Sequence, residues 1–105
     1  MNLPAGERQA LLVQLVQQHI LGEITQGQLL HYLRKKVFGL SQTQFATLVD
    51  VSRRTLTDLE QDKARPGATV VNKVFKPFGL HAGLIPIRRE IAQEVFALKP
   101  TIDSP

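Results

Sequence analysis

The chain has 105 residues and a hydrophobic fraction of 43%, enough for one small domain with an appended element at each end. It contains no Cys, which excludes disulfides and thiolate metal sites, and it carries a net charge of +4, which suits a polyanionic partner. No stretch has the length of an apolar membrane span or the layout of a signal peptide, so a cytoplasmic protein without membrane contact is expected.

Residues 5–21 read as a helix. Leu12, Leu15, Val16, His19 and Ile20 make an apolar stripe that Leu11, Val13 and Leu21 widen. Glu7 falls in the first turn, where it complements the helix dipole, and Gly22 is a stop. This surface is suited to packing on the core, or to meeting a second subunit or a partner.

Thr25 opens a second helix that runs to about Lys36 or Phe38, with Leu29, Leu30, Leu33 and Val37 inward and Arg34, Lys35 and Lys36 near its C-terminal end. The next stretch, Gly39 to Pro66, holds two start signals, Ser41 and Ser52, each a good N-cap. After Ser41, Phe45, Ala46, Leu48 and Val49 share one face, while Gln42, Gln44 and Thr47 take the other. After Ser52, Leu56 and Leu59 point together, and Val51 can staple the helix start. At about 100° per residue, Arg53, Arg54, Thr57 and Asp58 occupy the opposite arc, with Arg54 near its middle. Asp50 lies where the chain turns sharply, and a left-handed backbone conformation is expected there, which Asp tolerates after Gly.

Gln61 to Pro66 reads as a loop carrying Lys63 and Arg65. Thr69 to Phe78 reads as a further core helix with Val70, Val71, Val74, Phe75 and Phe78 apolar; Pro77 ends or distorts it, and Gly79 reverses the chain. Leu80 to Ile87, LHAGLIPI, is short, apolar and β-capable, and reads as a strand. No second strand is legible, so the economical partner is the same segment of another subunit, with Pro86 near the end of pairing. Residues 88–98 have helical spacing in Ile91, Ala92, Val95 and Leu98, and 100–105 read as a frayed tail.

The residues Gly39-Leu40-Ser41-Gln42, Phe45-Ala46, Val51-Ser52-Arg53, Leu56, Leu59-Glu60 and Arg65-Pro66 together resemble the helix-turn-helix of the Cro and phage-repressor class, over about residues 28–80. Asp50 and Asp62 stand where that class usually or often carries Gly. The resemblance implies an all-α bundle of four to five helices that binds double-stranded operator DNA. Residues 25–79 would be the DNA-binding domain, 1–24 an accessory helix, and 80–105 a dimerisation strand, final helix and tail. It also implies an ion pair between Lys35 and Glu60.

Phe78-Gly79-Leu80 and Leu84-Ile85-Pro86 are further similar to the HipB-type antitoxins, which dimerise through such a strand, repress their own operon and bind a HipA-type kinase toxin. The alternatives are a stand-alone regulator without a toxin, or a protein-interaction module on the same scaffold.

In a reader of this class, Arg53 and Arg54 sit where recognition-helix residues meet base edges, since arginine matches the two acceptors of guanine. Thr57 suits a base or a thymine methyl, and Asp58 a cytosine amine or, preferably, the orientation of an arginine. Gln42 corresponds to the phosphate-contacting start of the preceding helix. Ser41, Ser52 and Thr55 are suited to phosphates or to local capping, and Lys63 and Arg65 to phosphates.

Enzymatic chemistry has no support in the pattern. His19, His31 and His81 lie on separate elements without ligand spacing, and neither a phosphate loop, a nucleophile elbow nor an acid pair is present; no metal or cofactor is expected. An interaction surface would place apolar or aromatic anchors where Arg53, Arg54 and Thr57 stand.

Overall fold

The computed structural model describes residues 3–98, and these form six α-helices: α1 (Ala5–Ile20), α2 (Gln26–Tyr32), α3 (Gln42–Val49), α4 (Arg53–Glu60), α5 (Ala68–Phe75) and α6 (Arg89–Ala97). α2 runs on into a π-helical stretch, Leu33–Phe38, and α5 into a 3-10 turn, Lys76–Phe78. The expected all-α bundle is therefore the fold, and the tail expected over 100–105 lies outside the described residues.

Helix starts follow side-chain chemistry. Thr25 and Gln28 cap each other: the Gln28 N–H donates to the Thr25 hydroxyl (3.1 Å) and the Thr25 N–H donates to the Gln28 carboxamide (2.9 Å). Ser41 and Gln44 repeat the arrangement at α3 (3.1 and 2.9 Å). Ser52 caps α4 by accepting from the Thr55 N–H at 3.0 Å. Asp50 adopts φ 57°, ψ 51°, the left-handed turn expected of it, and Asp62 has φ 56°. Pro77 turns α5 into the tighter 3-10 winding at Lys76, and Gly79 reverses the chain at φ 76°.

The core collects Leu15 of α1, Leu29 and Leu30 of α2, Leu33 and Val37 beyond it, Phe45, Ala46 and Val49 of α3, Leu56 and Leu59 of α4, and Val74, Phe75 and Phe78. Phe78 stacks on Phe45 with ring centroids 5.6 Å apart, which ties the end of α5 to the middle of α3. α1 packs on this core through Leu11, Leu12 and Leu15.

Gly27 sets how closely α2 meets α4. A Cβ there would lie 2.5 Å from the Leu59 carbonyl oxygen and 2.7 Å from that of Glu60, so only glycine allows the approach. The Asp62 carboxylate completes the joint, accepting from the Gly27 N–H (2.9 Å) and the Thr25 hydroxyl.

Four expectations require correction. The partner of Glu60 is Arg34, not Lys35: Arg34 Nε donates to Glu60 Oε2 at 2.6 Å and Nη2 to Oε1 at 2.9 Å, while Nη1 reaches the Leu40 carbonyl at 2.8 Å. The apolar arc of Leu29, Leu30, Leu33 and Val37 decides this, because Lys35 points almost directly away from it and Arg34 flanks it. Arg34 and Glu60 are accordingly buried and Lys35 is exposed.

Leu48 is 55% exposed. Phe45, Ala46 and Val49 span an arc of about 100°, and Leu48 lies about 110° from its middle, so it falls outside the buried face.

The segment 80–87 forms no strand; the described residues contain no ladder, because a single chain offers this stretch no second segment to pair with. It is held instead at its start, where Leu80 packs on the core and its N–H donates to the Phe75 carbonyl (3.3 Å) and the Ala82 N–H donates to the Asn72 carboxamide (2.7 Å), while Leu84 and Ile87 stand fully in solvent. Finally, Asp58 orients no arginine: it enters no ion pair among the described residues.

Breaking the buried pair from one side leaves an uncompensated charge. Arg34→Met is expected to cost about 3–5 kcal/mol in chemical denaturation, against less than about 0.5 kcal/mol for the exposed Lys35→Met. Burial pushes the Glu60 carboxyl up, but hydrogen bonds from Arg34 and His31, the Arg34 charge and a hydrogen bond from Gln42 outweigh it and hold the group below the usual carboxylate range. A carboxyl depressed in the folded state contributes stability that is fully present above its unfolded value. That contribution is lost as pH falls from there through the lowered folded value. Melting temperature measured across an acid series should therefore fall below about pH 4.5. Glu60→Gln, less stable near neutrality, should lose less over the same interval.

Candidate nucleic-acid interface

The turn between α3 and α4 is built by Asp50 and Val51. The Val51 N–H donates to the Ala46 carbonyl (3.0 Å) and the Asp50 N–H to that of Thr47 (3.3 Å), so the chain turns within the three residues 50–52. Ala46, buried with 4% exposure, keeps α3 and α4 close. α4 then buries Leu56, Leu59 and Glu60 and turns its other side outward.

That outward side carries Arg53 and Arg54, both exposed, with Thr57 and Asp58 half-buried beside them. Neither guanidinium enters an ion pair among the described residues, so both remain available to an anionic or hydrogen-bonding partner. Ser52 and Thr55 are committed locally. The Ser52 hydroxyl accepts from the Thr55 N–H and donates to the Thr55 hydroxyl at 2.8 Å, the capping alternative of the two roles considered for them.

Gln42 occupies the first turn of α3, half-buried against α4. Its carboxamide faces the Thr57 hydroxyl on one side (3.4 Å) and Glu60 Oε1 on the other (3.4 Å). Lys63 and Arg65 are exposed in the loop after α4, whose start is pinned by Asp62. The structure thus assembles Gln42, Arg53, Arg54, Thr57 and Asp58 along α4 and the start of α3, with Lys63 and Arg65 on the following loop.

Sequence reasoning missed Asp62, Gly27, Asn72 and Arg34 as positioning residues. The Thr25-x-x-Gln28 and Ser41-x-x-Gln44 spacings were available as signs of reciprocal caps. Nothing local marks Asp62, whose partners lie 35 and 37 positions away.

His19 and His31 are part-buried. His19 donates to the Ile24 carbonyl (3.1 Å) and His31 to Glu60 Oε1 (3.1 Å). Among the described residues no group of acidic or histidine side chains is arranged to hold a metal, and no helix is long and apolar enough to cross a membrane.

No curated protein and no solved structure matches the chain significantly. A family comparison matches residues 30–85, just over half of the chain, to the helix-turn-helix family of the Cro/C1 type. That span runs from the middle of α2 through α3, the Asp50 turn and α4 to the segment after α5. With the three-residue turn, the buried seam between α3 and α4 and the exposed arginines of α4, the chain belongs to the helix-turn-helix family of DNA-binding regulators.

Proposed function

We propose that the protein is a sequence-specific double-stranded DNA-binding transcriptional repressor that lays α4 in the major groove. The observation that carries this reading is the exposure of Arg53 and Arg54, without an ion pair among the described residues, on the face of α4 opposite Leu56 and Leu59. Arginine presents two donors in a fork that matches guanine O6 and N7. Gln42 and the N-terminal amides of α3 face a phosphate, and Lys63 and Arg65 extend the electrostatic contact along the backbone. Ser52 and Thr55 contribute by holding the start of α4 rigid.

The protein acts as a homodimer in this reading. Leu84, Ile85 and Ile87 are exposed on the unpaired segment, and Ile91, Val95, Phe96 and Leu98 are exposed on and beside α6. Residues 80–85 also border an apolar hollow of about 410 Å³ whose other walls include Val16, Ile20, Val71 and Phe75. A second copy gives this apolar surface a covering, and a two-fold axis gives the two α4 helices matched half-sites. Residues 1–24 serve as an accessory helix, 25–79 as the DNA-binding domain and 80–105 as the dimerisation region.

The similarity of Phe78-Gly79-Leu80 and Leu84-Ile85-Pro86 to HipB-type antitoxins supports a role as the antitoxin of a toxin–antitoxin operon, in the cytoplasm, with a HipA-like kinase toxin as partner. A kinase-like reading frame adjacent to the gene tests that role directly; its absence leaves a stand-alone repressor.

Two measurements test the DNA reading. In titrations across single-base variants of a selected site, Arg54→Ala should cost about 1–3 kcal/mol and relax the preference at one base pair; an equal loss on every sequence assigns Arg54 to a phosphate instead. Selection from random DNA should return two-fold related half-sites about one helical turn, ~34 Å, apart. Non-palindromic winners overturn the dimer.

A further inference from the structure

Among the described residues, the hydrogen-bond partners of the Thr57 hydroxyl are both acceptors. The Arg53 carbonyl oxygen lies 3.0 Å away and the Gln42 Oε1 3.4 Å away. Which end of the Gln42 carboxamide faces Thr57 is decided deeper in the protein. Gln42 Nε2 points at Glu60 Oε1, which also accepts from Arg34 Nη2 (2.9 Å) and His31 Nδ1 (3.1 Å). An ionised carboxylate only accepts, so the NH₂ end of Gln42 must face it. Turning the carboxamide over would set oxygen against oxygen at Glu60.

A hydroxyl has one proton to give and two lone pairs to offer. With the proton directed to Arg53 or Gln42, the Thr57 oxygen meets an outside partner as an acceptor. In the major groove adenine N6 and cytosine N4 are donors, whereas guanine O6 and N7 and thymine O4 are acceptors.

We propose that Thr57 is a specificity-determining residue that selects an amino base, adenine or cytosine, over a keto base, guanine or thymine, at one position of each half-site. The Arg53 carbonyl is the nearer acceptor of the Thr57 proton, and Gln42, oriented by Glu60, is a positioning residue that adds a second acceptor on the same side. This inference rests on the DNA-binding reading above, and adds to it the class of base that one side chain demands.

The test is selection from random DNA followed by competitive titration, using the full chain as wild type, Thr57→Val and Thr57→Ser. Val keeps the shape and a methyl group but removes the hydroxyl; Ser keeps the hydroxyl and removes the methyl. One base pair should carry an amino-over-keto preference of about fivefold in the wild type, the scale of one net hydrogen bond. Thr57→Ser should retain that ratio. Thr57→Val should bring it close to one, with ratios elsewhere in the site and the thermal midpoint little changed.

The proposal is overturned if Thr57→Val leaves every ratio unchanged, or if the pair that responds to it is one where the wild type separates A·T from G·C pairs, or purine from pyrimidine, rather than amino from keto on one strand. It is also overturned if Thr57→Ser loses the preference as Val does, which would assign the effect to the methyl group. A wild-type chain that binds no DNA at low salt overturns the DNA reading itself and this inference with it. A chain that binds specifically without the amino preference overturns this inference alone.

Discussion

The Glu60 carboxylate lies in the seam between α4 and the stretch that runs from α2 to its π-helical end, and its position constrains most of what surrounds it. A buried carboxylate is tolerated only when its oxygens are satisfied. Here Oε2 accepts from Arg34, and Oε1 accepts from Arg34, His31 and Gln42. The same Arg34 reaches on to the Leu40 carbonyl, so one guanidinium holds the end of α4 and the connection into α3 together. No buried side-chain nitrogen or oxygen among the described residues lacks a partner. The net stabilisation of such a pair is small compared with the cost of leaving either member alone. Its structural effect is therefore one of geometry, fixing the azimuth at which α4 lies on α2 and hence the direction in which α4 points outward.

Two other contacts work on the same seam. Gly27 removes the Cβ that would keep α2 from the carbonyls at the end of α4, and Asp62 ties the chain leaving α4 to the first turn of α2. Apolar packing by Leu29, Leu56 and Leu59 supplies most of the driving force across this joint but is not directional. The directional contacts are those of Arg34, Glu60 and Asp62. A recognition element has to be placed in this way, because base-edge hydrogen bonds tolerate errors of only a few tenths of an ångström.

Much of this was legible in the sequence because it is local. The caps at Thr25, Ser41 and Ser52, the left-handed Asp50, the distortion before Pro77 and the reversal at Gly79 all follow from the chemistry of one residue and its near neighbours. The inward faces follow from period, and where a resemblance was preferred to period it misled: the arc of Leu29, Leu30, Leu33 and Val37 already excludes Lys35 as the partner of Glu60. Leu48 shows the limit of grouping apolar residues without measuring their angles. The face of α4 was legible as a set, since its buried side reads from Leu56 and Leu59. Gly27 and Asp62 were not, because their roles depend on atoms more than thirty positions away. The segment 80–87 has the composition of a strand, but composition cannot supply the second strand that a ladder requires.

In the proposed reading a core contact and a surface preference belong to one mechanism. Hydrogen-bond polarity propagates: an acceptor-only group fixes its donor, and a two-ended group such as a carboxamide passes the constraint to whatever touches its other end. Glu60 is acceptor-only, Gln42 is two-ended, and Thr57 stands where the chain of constraint meets the outside of α4. Arg53 and Arg54 need no such support, because a guanidinium donates in every state. In the proposed reading the exposed arginines and the half-buried threonine would therefore read different things for different reasons. The arginines are tied to acceptors by their own chemistry, whereas in the proposed reading the threonine is turned toward a donor by the acceptors beside it, the Arg53 carbonyl and the Gln42 oxygen that Glu60 orients.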